Sequence, residues 1–149
     1  MILRYSTALL LGLALMFSTA QADQKVTFNG YELHYIVINS TMLTPEIAGQ
    51  YGLVRSGRQA LLNLSVLKQR RNDVAVPVPD STVVVRVRNL LGQSNRLPMR
   101  VVEEQNARYH LGSVSFDDRE VLWFDIVVSI PGERDFSFSF SQELWEEEA

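Results

Sequence analysis

Cysteine is absent from all 149 residues. That excludes disulfide staples, thiol catalysis, cysteine-ligated zinc and a lipid-anchored lipoprotein. Histidine is nearly absent, with His34 and His110 as the two imidazoles. A histidine base or metal ligand must be one of these, and no short His-x-His or His-x₃-His spacing supports a metal. No Gly-x-Ser-x-Gly elbow occurs, so a hydrolase nucleophile has no visible seat. Asp117, Asp118 and Glu120 lack the glycine and ligand spacing of a calcium loop. Glu103 and Glu104 are adjacent on a predicted strand and point to opposite faces, which rules them out as a glycosidase pair. Basic clusters are equally scarce. The formal net charge is −3, and the one basic run, Lys68 to Arg71, reads as a solvated turn. Such a surface gives no electrostatic reason to bind nucleic acid or anionic lipid.

Long apolar runs are missing except at the start. Arg4 gives a short positive region, Ala8 to Phe17 is almost wholly apolar, and Ala20-Gln21-Ala22 supplies small residues where a signal peptidase reads. A transmembrane anchor would need about 20 apolar residues. The segment therefore reads as a signal peptide, residues 1–22, cleaved after Ala22. Residues 23–149 form the expected single domain, released as a monomer into the periplasm. Without cysteine, its core alone must hold it together.

What the remaining chain has in abundance is alternation. Apolar residues recur at every second position, the signature of strands with one buried face. Lys25 to Phe28 and Tyr31 to Ile38 flank Asn29-Gly30, a strong hairpin signal. Gln59 to Lys68, Ser81 to Asn89, Arg96 to Glu104, Ala107 to Phe116, Glu120 to Ile130 and Phe136 to Ser141 follow. Pro98 suggests that its strand begins at an edge or bulge, and Gly112 marks a bulge in the next. Asn72-Asp73 and Pro77 to Pro79 read as connection, and Leu90 to Gln93 as a turn with an apolar plug. One segment breaks the pattern. Thr44 as N-cap, Pro45 at the first helical position, Glu46 in the first turn and Gly52 as the stop predict a short helix from Pro45 to about Tyr51. The expectation is an all-β, two-sheet antiparallel sandwich of about eight strands with one short helix; a closed barrel is the alternative.

Around that helix the chain resembles a known family. Asn39-Ser40-Thr41, Leu43 to Ala48, Tyr51-Gly52, Arg55-Ser56 and Ala60 to Asn63 look like a proteobacterial family of exported proteins, domain-of-unknown-function family 4426. Tyr31 to Tyr35, Asn89 to Gln93 and the terminal Phe-rich strand fit it too. The resemblance implies a periplasmic immunoglobulin-like sandwich of Gram-negative bacteria. It implies no activity, cofactor or site residue.

Candidate sites are few. His34 and His110 each lie out of phase with the apolar residues beside them, so both are expected to face solvent. The stretch 39–58 is long for a sandwich connection, and long loops on rigid scaffolds often carry function. Asn39, Thr41, Tyr51 and Arg55 are its candidate binding residues. The competing reading has the helix capping the open end of the sandwich, with Ile47 and Tyr51 packed down. Trp123 is either an exposed aromatic at a partner surface or buried under the helix.

Three functions stay open. The first is a non-enzymatic binding or accessory module that meets a protein or envelope component through the 39–58 insertion or a sheet edge. It calls for an apolar patch bordered by the loop. The second is a small-ligand or enzymatic domain in which His34, His110, a carboxylate and Arg55 converge. The third is a structural factor for a larger assembly. No catalytic residue, metal or cofactor is expected.

Overall fold

The computed structural model describes residues 24–148. The expected signal peptide, residues 1–22, and its cleavage site after Ala22 lie outside the described residues. Ten strands run in chain order: β1 (Lys25–Phe28), β2 (Tyr31–Asn39), β3 (Gln59–Arg70), β4 (Asp73–Pro77), β5 (Thr82–Asn89), β6 (Ser94–Leu97), β7 (Arg100–Glu104), β8 (Ala107–Ser115), β9 (Glu120–Ser129) and β10 (Phe136–Leu144). A 3-10 turn (Ser40–Met42) and helix α1 (Pro45–Tyr51) lie between β2 and β3.

All pairings are antiparallel. The first sheet has the order β1-β2-β3-β8-β7, with β4 also paired to β3; the second has the order β10-β9-β5-β6. The architecture is an all-β sandwich with one short helix. Asn29 and Gly30 both take positive φ, as the tight β1–β2 turn demands. Thr44 caps α1 by accepting from the Ile47 amide, and Gly52 ends it at φ 64°.

Between the sheets, Leu33, Leu62, Leu64 and Val66 of the first meet Val85, Phe124, Ile126 and Val128 of the second. Phe124 is fully buried, and removing a ring of that size from water stabilises by roughly 2–3 kcal/mol. Phe28 stacks on Phe136 at 4.1 Å, and Tyr35 packs against Phe138 and Phe140. This aromatic seam closes one side of the sandwich, from β1 and β2 to β10.

The chain departs from expectation in several places. The segment read as one strand from Arg96 to Glu104 is two, in different sheets: β6 pairs β5, and β7 pairs β8. Pro98 and Met99 lie at the crossing, where the missing N–H of proline costs no ladder bond. Asp73 and Pro77, both read as connection, are the two ends of β4, which pairs with β3. Gly112 lies in unbroken register opposite Leu62. It serves close approach instead, since a Cβ there would sit 2.5 Å from Met99 Sδ. Leu90 and Leu91 are exposed and plug nothing.

Candidate functional site

The outer face of the first sheet carries the site. Leu33, Tyr35 and Val37 point inward, which turns Glu32, His34, Ile36 and Ile38 outward along β2. The β2–β3 and β3–β8 registers set Asn63, Ser65 and Leu67, then Tyr109, beside them. A concavity of about 760 Å³ opens here. Its apolar lining includes Ile36, Ile38, Met42, Leu67 and Tyr109, with Tyr35 and Val37 reached around the edge of β2, and its polar lining includes His34, Asn63, Ser65 and Gln142. Met42, which the 39–58 insertion contributes, is 62% exposed. The Asn63 Oδ1 atom is buried and accepts no hydrogen bond among the described residues.

A charged cluster borders the concavity. Glu32 accepts from Gln69 Nε2 at 2.9 Å, lies 2.7 Å from His34 Nε2, and is 3.5 Å from Lys25 Nζ. The hydrogen bonds from Gln69 and His34, with the Lys25 charge behind them, hold its carboxyl down at about 2.

The concavity also adjoins an open strand edge. β1 pairs with β2 only as far as His34. Beyond that, the Tyr35 amide donates to the Gln24 carbonyl at 2.9 Å. The Val37 carbonyl is met by the side chain of Gln142 at 3.2 Å. A side chain stands where a neighbouring strand's backbone would be.

The four loop residues singled out from the sequence act as ties. Asn39 donates to the Gly57 and Trp145 carbonyls and accepts from the Thr41 amide and hydroxyl. The same Thr41 hydroxyl lies 2.6 Å from Glu147 Oε2, so its one proton is shared between the two acceptors. Arg55 donates to the carbonyls of Leu43 (2.7 Å) and Thr41 (3.2 Å), so it braces the loop from within. Tyr51 donates its hydroxyl to Glu104, and its carbonyl accepts from Arg100, both on β7. Helix α1 is thus held to the outer face of the first sheet. It does not cap the open end of the sandwich. Ala48 is its buried residue, while Ile47 is 43% exposed.

The histidines do not converge. His34 faces outward beside Glu32, as expected. His110 does not face solvent: it is 2% exposed and lies directly across from Leu64, on the inner face. Burial, with the Arg108 charge nearby, pushes its imidazole down to about 4. Arg55 is absent from the concavity's lining. The joint His34, His110 and Arg55 site is therefore not assembled. Trp123 lies on the outer face of the second sheet under the Arg88 guanidinium, 5.0 Å from the ring centre, and not beneath the helix.

Sequence reasoning missed Ile36, Ile38 and Tyr109. A signal was available, since β2 is apolar on both faces from Tyr35 to Ile38, which a half-wet strand need not be.

The fold has solved relatives. A copper-bound variant of FetP from uropathogenic Escherichia coli superposes with a TM-score of 0.61 at 14% identity, covering 85% of this chain and 97% of that one. A copper-bound variant of Campylobacter jejuni P19 gives 0.56 at 9% identity, covering 81% and 94%. At such identities the likeness is one of fold. Among the described residues no three histidine or carboxylate side chains gather as a metal cluster, and the two imidazoles lie on opposite faces of a sheet. The two histidines therefore cannot serve one metal centre together. No curated protein sequence matches the chain significantly. The crystal structure of a DUF4426 family protein from Pseudomonas aeruginosa superposes with a TM-score of 0.72 at 33% identity, covering 87% of this chain and 99% of that one. The family model described as a domain of unknown function, DUF4426, matches residues 25–147, from the first strand to the acidic tail, and the chain belongs to that family.

Proposed function

We propose that the protein is a periplasmic binding or accessory module. Its outer concavity receives an extended, apolar segment of another envelope protein. The observation that carries this reading is the position of Met42, Ile36 and Ile38 around a concavity that adjoins the open edge of β2. An extended peptide can use both features. Its backbone answers the strand edge, and alternate side chains enter the apolar lining. No helix among the described residues is long and apolar enough to cross a membrane, which fits a module acting from the aqueous side of the envelope.

The test is a photo-crosslinking amino acid placed at Met42 in cells, with Leu91, exposed on a distant turn, as control. The reading expects one defined adduct from Met42 and none from Leu91. It also expects Ile36→Glu to abolish that adduct without lowering the melting temperature. Equal labelling from both positions, or an adduct indifferent to Ile36→Glu, would overturn it. An adduct with a lipid or glycan would assign the concavity to a different ligand.

A further inference from the structure

The outer face of the second sheet carries an independent arrangement. Its registers build two cross-strand rows. One is Ser141, Trp123, Arg88 and Ser94; the other is Ser139, Asp125, Arg86 and Arg96. Residues directly opposite one another have Cβ atoms roughly 5 Å apart. Register alone would pair Asp125 with Arg86. Asp125 is instead taken from the next row by Arg88, at 2.6 and 3.1 Å, and by the Ser139 hydroxyl at 2.7 Å. Arg88 is fixed in turn by lying over Trp123. Arg86 is left exposed with Arg96 directly across from it. Among the described residues neither side chain makes a hydrogen bond or an ion pair, and Asp125 reaches Arg86 only through space. Like charges directly opposite on a sheet oppose folding. Two arginines on directly opposed strand positions have side chains long enough to bring their N–H donors to one anion with several acceptor oxygens.

We infer that Arg86 and Arg96 form an anion site for a compact phosphate-bearing ligand, either inorganic phosphate or a phosphate monoester, held between the two guanidinium groups. The Arg88–Asp125–Ser139 unit keeps the nearby carboxylate from quenching Arg86. Compactness follows from the surroundings. β5 ends opposite Leu122, and beyond it stand Glu120, Asp117 and Asp118, with Glu146 bonded to that turn through its amide. Arg58 and Arg119 offset two of these four negative charges, so a long polyanion running along the hairpin would still meet net negative charge, whereas a small dianion held at Arg86 and Arg96 avoids it. The overall negative charge of the chain conceals this local positive pair.

The chain beginning at Asp23 tests the site through its melting temperature in phosphate and in chloride at equal ionic strength, with phosphorus NMR line broadening as a direct readout. Phosphate is expected to raise the melting temperature and chloride not to, as ligation of the folded state requires. Arg96→Gln should weaken phosphate binding about tenfold or more, the scale of one charged hydrogen bond. Arg88→Gln should weaken it too, although both ligating arginines remain, because Asp125 is then free to pair with Arg86. Arg71→Gln, a cation on a distant turn, should change nothing. Equal phosphate stabilisation in the parent and Arg96→Gln would overturn the site. Binding to phosphatidylglycerol vesicles that free phosphate does not compete away would overturn the compact ligand in favour of a lipid surface.

Discussion

His34 and His110 lie on opposite faces of the same sheet, one opposite Ser65 and the other opposite Leu64 across β3. Adjacent positions on β3 point to opposite sides, so the two imidazoles are separated by the sheet. Any chemistry that needs both is excluded by register alone. They also live in different media. His34 shares the wet outer face with Glu32 at 2.7 Å, while the His110 Nε2 atom is buried and unpartnered among the described residues.

The buried imidazole makes stability fall on mild acidification. An unfolded histidine takes up its proton near pH 6.5, whereas the folded one resists until about 4. The folded state therefore keeps its full stability above pH 6.5 and loses it as pH falls toward 4. Between pH 7 and 5 the loss should be about 2 kcal/mol. Urea unfolding at the two pH values reads it directly. In His110→Leu the difference should shrink to a small fraction of that; an unchanged difference would place the titrating group elsewhere.

Glu32 governs a separate, lower window. Its carboxyl is held at about 2, below its ordinary 4.5, first by Gln69 and then by His34. Its contribution is present above pH 4.5 and is lost as pH falls through 2. Glu32→Gln should flatten the acid limb of the stability curve below pH 4.5 and leave the limb above it intact. Melting temperatures from pH 6 down to 2.5 separate this effect from that of His110.

What could be read from residues alone divides along one physical line. Local chemistry was legible. Thr44, Pro45 and Gly52 bound α1 where the structure puts it, Asn29-Gly30 makes the first hairpin, and the alternation along β9 and β10 gives their inner faces correctly. The assumption of one wet face per strand failed in β8. There, the apolar neighbours of His110 predict that the imidazole faces outward, yet Tyr109 and Leu111 take the outer face and His110 the inner one. Leu111, though outward, is only 8% exposed, and it lies opposite Arg100, which holds the end of α1. A loop that returns over a sheet makes its outer face apolar, and that is a tertiary fact. The split at Pro98 is similar: the break is local, but the change of sheet depends on partners far along the chain.

The loop residues should behave as scaffold. Asn39 is 8% exposed and joins the loop start to the Gly57 and Trp145 carbonyls. Asn39→Ala leaves the Trp145 carbonyl and the Thr41 amide without that partner, while the Gly57 carbonyl keeps the Glu147 amide, and should cost about 1–3 kcal/mol. Arg55→Ala removes two exposed bonds to carbonyls that water can replace, and should cost less than about 1 kcal/mol. Chemical unfolding of the two variants gives the order. If Arg55→Ala were as damaging as Asn39→Ala, the brace inside the loop would matter more than its tie to the tail.

Two glycines give a contrast between core and tail. At Gly112 a Cβ would meet Met99 Sδ at 2.5 Å and Leu97 Cδ2 at 2.9 Å, both on side chains that can yield. Gly112→Ala should therefore cost about 1–3 kcal/mol by overpacking and lower the global melting temperature. At Gly57 a Cβ would lie 1.8 Å from the Glu147 carbonyl oxygen, a backbone atom. The same backbone stretch donates from the Glu147 amide to the Gly57 carbonyl at 3.1 Å. Gly57→Ala must push the tail away and break that bond along with the Thr41–Glu147 contact. The expected result is local: amide exchange accelerates at Glu147 while the core amides of β3 and β9 keep their protection. Loss of protection across both sheets in Gly57→Ala would mean that the tail is part of the cooperative unit and not a strap laid over it.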